Sequence, residues 1–104
     1  MPSPVLATAT DPDGREIVLD EEGWNHVLKD HGEMDAHRGA VMATVARPDD
    51  RQADPRPGRE RFYRRGFGPT RWLIAVVDFN QTPAYIVTAY GLSEAPPGWP
   101  SNYR

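Results

Sequence analysis

The sequence predicts an α+β domain in which two N-terminal helices pack on one face of a four-stranded antiparallel sheet. Three observations carry that expectation. Helix signals come early in the chain and strand signals late. Residues 72–79 and 84–90 are both rich in β-branched and aromatic side chains, as strands are. Only Asn80-Gln81-Thr82-Pro83 separates them, a connection short enough for antiparallel neighbours.

Each element has its own signals. Residues 1–14 are expected to be a flexible tail ending in the turn Asp11-Pro12-Asp13-Gly14. Residues 15–19 fit a short strand. Asp20 is a good N-cap, and Glu21 and Glu22 follow at the end of the helix where acids are favoured. The first helix runs to about His31, with Gly32 as its stop and Trp24, Val27 and Leu28 as its buried stripe. Asp35 is expected to cap a second helix through Val41, Met42 and Val45, closed by Pro48. Residues 49–58 read as a loop, with one short strand or none. A strand over 60–65 and the turn Gly66-Phe67-Gly68-Pro69 precede the two strong strands. One domain over 15–95 results, and residues 96–104 form a rigid proline-rich tail that can lie on the sheet.

Composition narrows the functional classes. The chain of 104 residues has room for one core, and its hydrophobic content of 38% makes that core modest. It contains no cysteine, which excludes disulfides and thiolate metal sites and suits the cytoplasm. The N-terminus lacks a basic and apolar leader, and no run approaches the length of a membrane span.

Charge is distributed unevenly. Residues 51–71 hold seven arginines against Asp54 and Glu60, a local +5 in a chain of net charge -3. Residues 1–50 carry eleven acids against four cations, giving -7. Guanidinium groups bond phosphate in bidentate fashion, and the interleaved Phe62, Tyr63 and Phe67 offer rings for bases. The same run also fits a solvated strand whose arginines serve solubility.

Strand alternation sorts these side chains. Arg61, Tyr63 and Arg65 point one way, and Glu60, Phe62 and Arg64 the other. On the last strand Ala84, Ile86, Thr88 and Tyr90 share one face by the same rule. Thr88 and Tyr90 are then expected beside one of the two arginine sets, and register leaves open which one.

His26, His31 and His37 lie close together in sequence. A helical step of five residues turns the rings of His26 and His31 about 140° apart, unlike a zinc-binding pair at i, i+4. No metal and no cofactor are expected. Histidine is the side chain best suited to proton transfer near neutral pH, and His31 is the best placed of the three.

A resemblance follows from the order of these pieces. The stretch from Trp24 through Lys29-Asp30-His31-Gly32-Glu33 precedes a second helix ending in Arg47-Pro48-Asp49. Arg61-Phe62-Tyr63-Arg64 comes next, and then residues 72–77 with Ile86-Val87-Thr88-Ala89-Tyr90. Over residues 15–92 this order resembles the small phage and bacterial nucleases grouped with barnase, EndoU, colicin and RelE toxins, the BECR fold. Its Lys-x-His-Gly element is similar to that of BrnT toxins. The resemblance implies a BECR/RelE-like sheet with a metal-free active site on its exposed face. It assigns His26, His31, Arg61, Arg64, Thr88 and Tyr90 to catalysis. Arg59, Tyr63, Arg65 and Lys29 are expected to bind substrate. Here Asp30 stands between Lys29 and His31, an acid that opposes phosphate binding.

The resulting expectation is a cytoplasmic, toxin-type endoribonuclease that cuts RNA by attack of the 2′-hydroxyl. Its other partner would be a cognate antitoxin or immunity protein. The competing expectation is a non-catalytic module that binds nucleic acid or an acidic protein through the arginine-rich sheet face.

Overall fold

The computed structural model describes residues 3–100. Strands β1 (Val5–Thr10) and β2 (Glu16–Asp20) precede helix α1 (Glu21–Asp30), a 3-10 helix (Gly32–His37) and α2 (Arg38–Ala46). Strands β3 (Asp50–Ala53), β4 (Arg59–Arg65), β5 (Trp72–Asp78) and β6 (Ala84–Leu92) follow. All six strands form one sheet in the order β1-β2-β6-β5-β4-β3. Neighbours are antiparallel except β2 and β6, which run parallel.

The α+β class stands, but the expected four-stranded, antiparallel, BECR/RelE-like architecture does not. The sheet is six-stranded and mixed, and two strands come before the helices. Residues 3–14 are not a flexible tail. Val5–Thr10 is an uncharged segment alternating between small, branched and larger side chains, and it pairs with β2 across a tight turn. That turn is built by Asp11, which is 4% exposed. Its Oδ1 accepts from the amides of Asp13 at 3.0 Å and Arg15 at 2.8 Å, while Gly14 takes a positive φ of 83°. Residues 1–2 and 101–104, at the outer ends of the two expected tails, lie outside the described residues.

Asp20 caps α1 as its sequence position predicts, accepting from the amide of Gly23 at 2.8 Å. The second helix differs from expectation. Asp35 lies inside the 3-10 helix, which has no side-chain cap and is seated by fully buried Met34. The α-helix proper starts at Arg38 and buries Val41 and Val45. Core packing, not a cap, therefore decides where this helix begins.

The core lies between the helices and one face of the sheet. Ile17, Leu19, Phe62, Leu73, Val77 and Ile86 meet Trp24, Val27, Met34, Val41 and Val45 there. The opposite face carries a smaller cluster of Tyr63, Trp72, Ile74 and Val76, joined by Val87, Tyr90 and Trp99. Central β5 is buried on both faces, which explains why it reads as a continuous apolar run instead of an alternation.

One arginine clamps the ends of this sheet. Arg15 donates from Nε to Asp11 at 2.8 Å, and its Nη1 and Nη2 reach Glu60 of β4 at 2.8 and 3.2 Å. Its guanidinium carbon lies 3.7 Å from the centre of the Phe79 ring. Beside it, Arg51 of β3 bonds Asp13 of the β1–β2 turn at 2.8 Å. Arg15→Met should therefore cost about 2–4 kcal/mol in urea denaturation, because the side chain of Asp11 stays buried without its cation. Arg71→Met, at an exposed position, should cost less than about 0.5 kcal/mol.

Three carboxyls are held below the ordinary carboxylate range. The bond from Arg51 does this for Asp13, and the backbone and side chain of Asn80 do it for Asp78. Burial pushes Asp54 upward, but bonds from the Arg56 amide and the Arg61 side chain outweigh it. A folded value below the unfolded one gives stability that is complete above about pH 4 and is lost as pH falls through the folded value. Urea-melt stability should thus be level from about pH 7 to 5 and decline below about pH 4. Asp54→Asn should make that decline shallower, and an unchanged slope would exclude Asp54 as a contributor.

Candidate functional site

The arginine strand delivers its side chains to both faces of the sheet. Phe62 enters the main core and Tyr63 the opposite cluster, so Arg59, Arg61 and Tyr63 share the face away from the helices. Pairing of Arg61 with Val76, and of Val76 with Thr88, puts these three residues in one row across the sheet. The register that sequence left open is thereby decided.

β6 reaches that face through an irregularity. Val76 pairs with Thr88 whereas adjacent Val77 pairs with Ile86, so Val87 is an extra residue, a β-bulge. Ala84, Ile86 and Ala89 consequently all enter the helix-side core. Thr88 and Tyr90 turn to the other face. The uninterrupted alternation predicted for Ala84, Ile86, Thr88 and Tyr90 is broken, and without the bulge Thr88 and Tyr90 would face the helices.

A groove of about 300 Å³ opens there, lined by Asp54, Arg56, Arg59, Arg61, Thr88 and Tyr90 among others, with Val76 in its floor. Three arginines against one aspartate give its lining a formal charge of +2. Asp54 holds the Nε of Arg61 at 2.8 Å and the amide of Arg56 at 3.0 Å. The Asp54 contact uses one of the five guanidinium donors of Arg61. That contact raises the pKa of Arg61 and keeps it cationic. Burial pushes the phenol of Tyr63 upward, partly opposed by its bond with Arg61, so it remains a neutral hydroxyl.

The loop behind these arginines is fixed by Gly58. Its φ is +79°, and a Cβ there would lie 2.2 Å from Oδ1 of Asn80. The amide of Phe79 donates to the Gly58 carbonyl at 2.8 Å. Arg56 and Arg59 are thus held on the two sides of a turn that only glycine fits.

α1 supplies the histidine. Where β2 ends, α1 lies beside β6, and Gly23 approaches so closely that an added Cβ would lie 3.1 Å from the Ile86 carbonyl. His31 caps the end of α1 with φ -139° and ψ 66°. Its ring stacks on Tyr90 with centroids 5.2 Å apart and planes at 28°. The Nδ1 atom lies 3.7 Å from the carboxylate of Glu33.

The structure thus brings together His31, Tyr90, Thr88, Arg61 and Arg59, with Tyr63 hydrogen-bonded to Arg61. It separates the other candidates from them. Arg64 lies on the helix side, bonded to the Arg47 carbonyl, 3.9 Å from Asp49 and 4.4 Å from the Phe67 ring centre. Arg61, three residues earlier on the same strand, cannot share a surface with it, because an odd step along a strand reverses the face. Arg65 is exposed and lies outside the groove lining. His26, 3.6 Å from Asp30, lines a separate pocket with Gly23, Tyr85 and Val87. Lys29 is exposed and lines neither cavity.

Sequence reasoning missed Asp54 and Arg56. The signal was present as Asp54-Pro55-Arg56-Pro57-Gly58, in which an aspartate receives the amide two residues on. Among the described residues no group of three His, Asp or Glu side chains is placed to hold a metal ion. No described helix is long and apolar enough to cross a membrane. No family model, curated protein or solved structure matches this chain.

Proposed function

We propose that this protein is a toxin-type endoribonuclease of the cytoplasm that cleaves single-stranded RNA through its own side chains, without a metal. The observation that supports this reading most is the single groove in which Arg59 and Arg61 face Thr88 and Tyr90, with His31 stacked on that tyrosine. Arginines there meet the phosphate, the hydroxyl of Thr88 orients it, and the aromatic pair offers a surface for a neighbouring base.

In this mechanism a base removes the proton from the ribose 2′-hydroxyl. The oxygen attacks the adjacent phosphorus, forming a P–O bond while the bond to the 5′-oxygen breaks. Charge that builds on the phosphoryl oxygens is met by Arg61 and Arg59. An acid returns a proton to the leaving 5′-oxygen. The products are a 2′,3′-cyclic phosphate and a 5′-hydroxyl end, with His31 serving as the base or the acid. The cationic groove is also the surface that a cognate antitoxin or immunity protein would cover.

Purified protein should cut single-stranded RNA in excess EDTA and leave those two ends. His31→Ala should lower the rate about 10²–10⁴-fold, the usual worth of one positioned proton-transfer group. Arg61→Ala should cost about 3 kcal/mol in transition-state stabilisation, and Arg64→Ala, on the opposite face, much less. Cleavage that disappears on chelation would overturn the mechanism. Salt-sensitive RNA binding with no cutting by wild type would instead identify a binding module.

A further inference from the structure

The groove does not account for the whole open face of the sheet. Beyond the row of Arg61, Val76 and Thr88 lie Tyr63 and Ile74 paired in register, and then Trp72. A strap formed by residues 96–99 crosses this second half. Gln52, the register partner of Arg61 on β3, donates from Nε2 to the Pro97 carbonyl at 2.8 Å. The amide of Trp99 closes a turn onto the Pro96 carbonyl at 3.0 Å. The Trp99 indole then meets Trp72 edge-on, with centroids 5.0 Å apart and planes at 76°.

Resting on the ribonuclease reading, we infer that Trp72 and Tyr63 form a second base subsite, and that the strap occupies it with Trp99 in place of a nucleobase. Four features carry this. The subsite adjoins the phosphate-binding arginines on the same sheet face, one register step from Arg61. It presents two large aromatic side chains, the kind of surface on which single-stranded bases stack without regard to sequence. The group now covering it is itself a planar aromatic ring. The strap belongs to none of the six strands, and its contacts with the sheet include the Gln52 hydrogen bond and the Trp72 ring contact. RNA long enough to extend past Arg61 displaces Trp99 and gains a stacked base.

The test measures binding of fluorescein-labelled 2′-O-methyl RNA of two to eight nucleotides, in which the attacking hydroxyl is blocked. Wild type should show affinity that rises with length and then levels off, because long strands must displace the strap. Trp99→Ala should bind the octamer at least about fivefold more tightly than wild type, the low end for one stacked base, and the dimer equally. Gln52→Ala, which removes the hydrogen bond to Pro97, should shift binding the same way, with folding of both variants checked by thermal melting. Variants that bind every length like wild type, or more weakly, would overturn the inference while the groove remains an RNA site. Failure of wild type and both variants to bind any length would overturn the inference and the ribonuclease reading together. Octamer binding by the variants alone would support the strap most strongly.

Discussion

The guanidinium of Arg15 is the interaction on which the rest of the arrangement depends. It joins Asp11 in the β1–β2 turn to Glu60 on β4 and rests on Phe79 after β5. β2 passes into α1 without a spacer, since Asp20 both ends the strand and caps the helix. Fixing β2 against β6 therefore fixes α1 along β6, and so the distance from His31 to Tyr90. A charge cluster at one end of the sheet sets the position of a histidine at the other. Such clusters are weak when each pair is exposed, but here Asp11 is buried and also accepts from two backbone amides.

The bulge at Val87 is the second device. One extra residue lets β6 place Ala84, Ile86 and Ala89 in the core and still present Thr88 and Tyr90 beside the arginines. A regular strand offers one face to each purpose, and the change of face falls within the site. Bulges re-aim side chains in this manner near functional surfaces. Their cost is an unpaired backbone position, placed here at a partly exposed valine next to α1.

What could be read from the sequence follows from how local each signal is. Asp20 announces its helix because a cap reaches only three residues along the chain, and β5 and β6 announce themselves by composition. The alternation of Arg61, Phe62 and Tyr63 correctly separates their faces. β1 was missed because six uncharged residues become a strand only when β2 offers an edge, and no local pattern records that. The parallel pairing of β2 with β6 joins Ile17 to Ala84 across most of the chain, beyond any periodicity. The bulge was invisible for a related reason: Tyr85-Ile86-Val87-Thr88 reads as good strand whether or not one residue is left out of register. The site was therefore legible as a list of residue types, but Arg64 and His26 could be separated from it only by three-dimensional pairing.

The same distinction changes the meaning of the arginine run. Seven cations among 21 residues suggest one positive surface, yet the fold divides them by purpose. Arg51 is tied to Asp13 and Arg64 lies near Asp49. The acids of the first 50 residues thus neutralise part of the later positive charge, and the two opposite local charges in the sequence become partners in space. Among the described residues, Arg56 and Arg59 have no carboxylate within ion-pair distance, and both line the groove. Arg61 stands between these roles, anchored through Nε by Asp54 while it lines the same groove. An anchored guanidinium loses less side-chain entropy when it meets a phosphate, so the aspartate that lowers the groove's charge also prepares its central cation for binding. The positive charge available to a ligand is smaller than the sequence count, and three of the seven arginines, Arg56, Arg59 and Arg61, line the groove that Thr88 and Tyr90 share.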